Sequence, residues 1–332
     1  MAEAKKLQLV RTGADAARTD DAHVVLIGLS AAIVSVAEER PRVLAVQRPE
    51  SADALPFGTF DPIAHRTLES GLRDWVQEQT GLQLGYVEQL YTFGDRGRHL
   101  TRPGEGPRVL SVGYLALSRL HGAPDTEWRD WYLYFPWEDW RKTRPAIIDA
   151  LILPRLSLFA ETAGAEQRAR RHERIRLCFG TDGTRWDEEK VLERYELLYE
   201  AGLVTEAQRD RRASPAGGPV PPLGADMVFD HRRILATAMG RLRGKMKYRP
   251  VVFELMPPEF TLLELQRTVE ALSGVRLHKQ NFRRLVEDQG LVEGTGRVSR
   301  KTGGRPAEQF RFRREVLRER PAPGVRLTRR GR

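Results

Sequence analysis

Lys279, Gln280, Arg283 and Arg284 lie within one short stretch, interleaved with Phe282, Leu285 and Val286. At helical spacing the three apolar residues share one side and must face a core, which turns the four long polar side chains outward. Cationic and amide side chains so displayed suit phosphate oxygens and base edges, so the chemistry they point to is recognition of nucleic acid. Asn281 is counted with them. The blander reading is a helix with surface Lys and Arg in a protein-protein interface. A second set lies far upstream: Asp74 and Glu78 are four residues apart, share a helix face, and could hold one Mg²⁺ or Mn²⁺. Leu72, Trp75 and Val76 on the same helix equally describe an ordinary amphipathic element with an apolar core side.

The elements that must position these groups are well marked in the C-terminal part. Thr261 and Glu264 have capping-box spacing, and Phe260 with Leu265 has that of a hydrophobic staple, so a helix begins at Thr261. Its apolar face is Leu262, Leu265, Val269 and Leu272. Residues 273–277 make a short turn into a second helix from about His278 to Gln289, stopped by Gly290. Residues 291–293 and 309–313 read as strands around a Gly-rich loop carrying Arg297, Arg300, Lys301 and Arg305. Counting a further helical stretch between the Pro/Gly-rich segment 213–225 and Thr261, three helical stretches followed by such a two-stranded tail form a winged helix-turn-helix. The helix at 278–289 is its recognition helix, and the loop is a wing whose charges lie along a phosphate backbone or a minor groove.

Upstream, residues 24–36 and 42–46 are β-branched apolar runs joined by a turn, and 84–93 and 109–117 read as further strands. A helix over 68–79 ends at Gly81. The N-terminal part is therefore mixed α and β. From 139 to 212 the pattern is helical, and the charged run 166–176 within it reads as a solvated helix face, with nucleic-acid contact as the alternative.

With 332 residues, 30% of them charged, and no apolar run of membrane-spanning length, membrane-embedded and fibrous classes are excluded. A single cysteine, Cys178, excludes an internal disulfide framework and a cysteine-rich zinc site. Asp15, Asp20 and Asp21 stand where a secretory signal would need apolar residues, which points to a cytoplasmic protein. Charge is lopsided: residues 226–332 hold 25 Lys+Arg against 12 Asp+Glu, while the preceding part holds 30 against 33. A near-neutral body thus carries a basic module, the pattern expected of a partner for a polyanion. Four Pro and three Gly in residues 213–225 mark the break. The expected division is 1–138, a helical stretch 139–212, a linker 213–225, the winged module 226–318 and a basic tail 319–332.

The segment Leu55-Pro-Phe-Gly-Thr-Phe-Asp61, followed by residues 68–82, resembles a Nudix box in altered form. Aligned on the Gln79-Thr-Gly-Leu82 end, Trp75 and Gln79 stand where two of that family's helical metal-binding glutamates sit, and only Glu78 stays in place. The loop glutamate's position falls near His65 and Arg66, and the stretch from Gly58 to Gly81 is two residues longer than the usual motif. A Nudix-like domain ahead of a basic winged helix resembles the Nudix-related transcriptional regulators of NAD metabolism. Local strings agree with that family: Asp230-His-Arg-Arg-Ile-Leu235, residues 248–255, residues 260–266, Asn281-Phe-Arg-Arg284 and residues 304–312.

The resemblance implies an α+β fold, a Nudix-like α/β/α sandwich with a mixed sheet, followed by a winged helix-turn-helix domain. It implies a homodimeric regulator, most often a repressor, that binds a pseudo-palindromic double-stranded operator near NAD biosynthesis or salvage genes. Its Nudix domain would sense ADP-ribose or a related pyridine-nucleotide metabolite, with no cofactor or metal required. Arg48, Phe57 and Arg66 are the candidates for contacting that effector, since a guanidinium and an aromatic ring suit an adenosine diphosphate. Each also has a structural reading. The alternative function is a Mg²⁺-dependent hydrolase of ADP-ribose or another nucleoside diphosphate derivative; a non-enzymatic scaffold is the third.

Overall fold

The computed structural model describes residues 25–46, 52–95, 108–119, 127–210, 214–299, 306–319 and 324–325. Its organising strand is β1 (Val25–Ala37), whose successive side chains enter two different cores. Leu29, Ala31 and Ile33 pack on one face with Leu72 and Val76, while Ala32 and Val34 pack on the other with Trp131 and Phe135. Burial on both faces explains why this strand reads as a continuous apolar run. A hairpin turn with positive φ at Glu38 and Glu39 leads to β2 (Arg40–Ala45), which pairs antiparallel with β1.

The short β3 (Phe57–Thr59) pairs with the front half of β1. Helix α1 (Leu68–Thr80) follows. Thr67 and Ser70 form a capping box at its start, and Gly81 in the left-handed region closes it. Strands β4 (Tyr86–Phe93) and β5 (Arg108–Leu117) come next, and β5 lies parallel to β1 from Val25↔Arg108 to Val34↔Leu117. Strand β6 (Glu127–Asp130) completes the mixed sheet on the far edge of β2, giving the order β4-β5-β1-β2-β6 with β3 beside β1. The four strands read from the sequence are all present; β3 and β6 were not foreseen.

Beyond β6 the chain is helical: a π-helical turn (Ile148–Ile152), α2 (Leu153–Glu161), α3 (Ala165–Phe179), α4 (Val191–Glu200) and α5 (Thr205–Arg209). The Pro/Gly segment runs over this layer, with Arg155 donating to the carbonyls of Ala216 and Gly218, and the Ala225 amide to Leu133. Helix α6 (His231–Met246) then packs against α4 and across β1, β4 and β5, opposite α1. The composition break at 225 separates these parts in sequence, while α6 joins them in space.

Helices α7 (Leu262–Ser273) and α8 (Lys279–Asp288) and the hairpin of β7 (Val292–Ser299) and β8 (Ala307–Phe312) follow, before the single turn α9 (Val316–Glu319). The core on the α6 face runs without interruption from Ala32 to Leu265, Phe282 and Leu291. Among the described residues no helix is long and apolar enough to cross a membrane.

Candidate nucleic-acid interface and altered Nudix box

Helix α7 starts as its sequence dictates. The Thr261 hydroxyl accepts from the Glu264 amide at 3.2 Å, and the Glu264 carboxylate accepts from the Thr261 amide at 2.6 Å. At its end Gly274 sits at φ +74°, and a Cβ there would lie 2.4 Å from the Glu138 carbonyl oxygen. Only glycine fits both the backbone conformation and the space. The Gly274 carbonyl accepts from the Trp140 amide at 2.7 Å, so the turn is stitched to the segment after β6.

On α8, Phe282 and Val286 are buried and Leu285 is half-buried, while Lys279, Gln280, Asn281, Arg283 and Arg284 are all exposed. The helix therefore displays the expected polar set on the side away from its core. The hairpin is longer than the sequence suggested. Phe260 exchanges both backbone bonds with Phe310, tying the hairpin to the start of α7. Arg297, at the end of β7, is exposed and pairs with Glu259 at 2.9 Å. Arg300, Lys301 and Arg305 lie outside the described residues.

A charge cluster that the sequence reading missed holds the helix-turn-helix to the rest of the chain. The Glu138 carboxylate accepts from Arg194 at 2.6 and 2.9 Å and from Arg243 at 2.7 Å, and all three side chains are 0% exposed. Arg243 also donates to the carbonyls of Leu272 and Glu188, and the Arg194 guanidinium lies 3.8 Å over the Trp186 ring. Burial opposes the Arg243 charge, but Tyr132 and Glu138 beside it raise its pKa overall; burial pushes the Tyr132 hydroxyl up. That hydroxyl donates to the Ala271 carbonyl at 2.8 Å. Residues of the post-β6 segment, α4 and α6 thus converge on the last turn of α7. A second buried pair, Arg232 with Glu206, ties α5 to α6. The signal was present: Arg194 follows Val191 by three and precedes Leu198 by four, which puts a charge on an apolar stripe.

Around the altered Nudix box, Trp75 and Gln79 turn toward β3. The Trp75 indole donates to the Thr59 carbonyl at 3.0 Å and covers Gly58 so closely that a Cβ there would lie 2.2 Å from the ring. Gln79 accepts from the Phe57 amide at 3.2 Å and donates to the Phe57 carbonyl at 2.5 Å. Trp75 and Gln79 are thus neutral braces for a strand, and neither side chain is a ligand that suits a hard divalent ion. Asp74 and Glu78 are exposed, with His65 Nε2 3.9 Å from Asp74, and no group of three or more His, Cys, Asp or Glu among the described residues could hold a metal.

Phe57 is half-buried, its ring edge-on to His231 at 4.9 Å, and the His231 Nδ1 accepts from the Leu55 amide at 3.0 Å. This links the box to the first turn of α6. Arg66 is exposed; Arg48 lies outside the described residues. On α3 the charged run is largely consumed in ion pairs: Arg168 with Glu161, Arg170 with Glu166, Arg174 with Glu200, and Arg176 with Glu173. That arrangement is a solvated helix face.

Residues 252–312 match the NrtR DNA-binding winged helix domain. An Acinetobacter baylyi protein named ADPR responsive transcriptional repressor NtrR is 43% identical over 90 residues, 27% of this chain and 36% of that relative, so the match spans about a third of the relative's length. The crystal structure of Shewanella oneidensis NrtR has a TM-score of 0.51 at 20% identity, covering 88% of this chain and 95% of that one. At that identity the likeness is one of fold. Residues 252–312 are thus similar to an NrtR-type winged helix domain, and the chain has the fold, a mixed α+β part beside a winged helix, that its resemblance to the Nudix-related regulators implies.

Proposed function

We propose that this chain is a DNA-binding transcriptional regulator, acting as a repressor of NAD biosynthesis or salvage genes, whose Nudix domain senses ADP-ribose or a related metabolite. The observation that carries the reading is the exposed set Lys279, Gln280, Asn281, Arg283 and Arg284 on α8, within a winged helix of the NrtR DNA-binding type. Those residues are the base-edge and phosphate contacts in this proposal, and Arg300, Lys301 and Arg305 of the wing add backbone contacts. The curated relative's name, an ADPR responsive repressor, supports both the effector and the sign of regulation. A homodimer on a pseudo-palindromic operator, working in the cytoplasm, belongs to the same reading.

The Nudix domain in this proposal binds without hydrolysing. Trp75 and Gln79 spend the positions of two metal ligands on holding β3, and a sensor needs no metal-bound water. Phe57 and Arg66 are the effector contacts proposed within the described residues, with Arg48 a third. Effector binding near β3 reaches α6 through Phe57, and the winged helix through α6 and the Glu138 cluster. Such coupling is reciprocal: ADP-ribose shifts operator affinity only by as much as it prefers one state. The test is a salt-titrated binding assay on DNA upstream of the chain's own gene and of NAD genes, with and without ADP-ribose. Specific binding altered by ADP-ribose is the expected result. Binding to no fragment at any salt, together with Mg²⁺-dependent turnover of ADP-ribose lost in Glu78→Gln, would return the chain to the hydrolases.

A further inference from the structure

Between α7 and α8 lies a feature that neither the recognition helix nor the wing accounts for. Glu270 is four residues after Gln266 on α7, so both side chains leave the same helix face toward the turn. The Glu270 side chain is 3% exposed. One carboxylate oxygen accepts from the Gln266 side chain and from the Leu277 amide, both at 2.9 Å, and the other accepts from Arg276 Nη1 at 2.6 Å. Gln266 also donates to the Leu277 carbonyl at 3.0 Å. The turn is therefore clamped on both sides of Arg276.

Arg276 itself is 51% exposed. Its bond to Glu270 uses one of the five N–H donors of a guanidinium, so a planar cation with further donors is held at the surface in a fixed orientation. It stands two residues before His278, the N-cap of α8, at the same end of the helix as Lys279 and Gln280. When such a helix enters a groove by its N-terminal residues, the turn before it runs along the flanking sugar-phosphate strand. An arginine already ordered by a buried carboxylate loses little side-chain freedom on meeting a phosphate.

We infer that Arg276 is a DNA backbone contact of this interface and that Glu270 is its positioning residue. The inference rests on the DNA-binding reading above, and its experiment separates the two. Full-length wild type, Arg276→Ala, Glu270→Gln and the double variant are titrated with salt against a fluorescein-labelled mixed-sequence duplex of about 30 base pairs, near three helical turns. Phosphate contacts are sequence-independent, so no operator needs to be known. Thermal melts of each variant show that it is folded; Arg276 is surface and Glu270→Gln conserves shape.

Arg276→Ala is expected to weaken binding several-fold and to reduce the slope of log Kobs against log salt by about one per chain. Glu270→Gln is expected to weaken binding and reduce the slope in wild type, but to add nothing in the Arg276→Ala background. A wild-type slope in Arg276→Ala overturns the inference alone, and a fully additive Glu270→Gln effect overturns the positioning role. Absence of duplex binding by wild type at every salt concentration overturns the regulator reading and this inference with it.

Discussion

Replacing Glu138 by Gln is the sharpest perturbation of the link between the two parts of the chain. Gln keeps the volume of the side chain, so no cavity opens; what disappears is the negative charge between Arg194 and Arg243, both 0% exposed. The carboxylate now takes three charge-assisted bonds of 2.6 to 2.9 Å. After the substitution two guanidinium groups face an amide that can accept from at most one side and presents its own N–H donors to the other. Removing one partner of a buried ion cluster costs roughly 3 to 5 kcal/mol, because the remaining charges cannot reach water. Against a total stability of about 5 to 15 kcal/mol, that is a large fraction. The assay is urea unfolding followed by tryptophan fluorescence, well placed because Trp186 lies under Arg194 and Trp137 and Trp140 flank Glu138. The companion variant replaces Glu138, Arg194 and Arg243 together by Leu and Met, and it should recover only part of the loss: no charge is stranded, but the carbonyls of Leu272, Glu188, Cys178 and Asp187 lose the donors the arginines supply. Glu138→Gln unfolding within about 1 kcal/mol of wild type would refute the reasoning: the cluster would then be hydrated, or its charges compensated elsewhere.

Gln79→Ala should destabilise the chain by about 1 to 3 kcal/mol in urea unfolding, because the amide and carbonyl of Phe57 both lose their side-chain partner. Gln79→Glu should be comparably unfavourable, since its carboxylate faces the Phe57 carbonyl, and no Mg²⁺-dependent turnover should appear. Cys178 is 4% exposed and burial pushes its thiol pKa up. Native protein should therefore react slowly with Ellman's reagent at about pH 8 and release one equivalent only on unfolding; rapid native labelling would contradict the packing of α3. Burial raises the Asp139 pKa, but the side-chain bonds from Arg141 outweigh it and leave the carboxyl below its ordinary range. A carboxyl depressed in the folded state stabilises above its unfolded pKa of about 4 and loses that contribution as pH falls through the folded value. Asp139→Asn should accordingly flatten the fall of stability as pH drops below about 4, seen as a smaller change in Tm on acidification.

The legible parts of this fold are those where local chemistry is decisive. Thr261 and Glu264 form the capping box that their spacing announces, and Phe282 and Val286 turn inward as their period requires. Continuous apolar runs identified β1 and β5 because both are buried on two faces. Strand β6 escaped because Glu127-Trp-Arg-Asp130 is short and mixed, and its pairing with β2 is decided by a partner some 80 residues away in sequence. Strand β3 escaped for the same reason. The place of α6 was hidden too: its pattern gives a helix, but only tertiary packing says that it covers the sheet opposite α1. Buried arginines are the hardest to foresee. Charge counted per segment treats Arg194, Arg232 and Arg243 as solvated, whereas each is compensated by a glutamate that is distant in sequence. The Nudix helix was read at the level of residue types, yet the use of Trp75 and Gln79 as braces for β3 follows only from the approach of Gly58.

The unbroken core from the sheet to α8 bears on how this chain can be re-engineered. In a protein built from independent blocks, a DNA-reading part can be grafted onto a new receptor by joining loops. Here the last turn of α7 is seated on Trp140, Tyr132 and Glu138, and Gly274 admits no side chain against them. A graft cut at the start of the winged helix would leave that seat behind and expose the apolar side of α7 to water. A transferable cassette must take residues 128–140, α4 and α6 with it, since Glu138 is held by Arg194 of α4 and Arg243 of α6. The same dependence limits recombination between relatives: crossovers between the sheet and the winged helix survive only where both sides of the seat are inherited together.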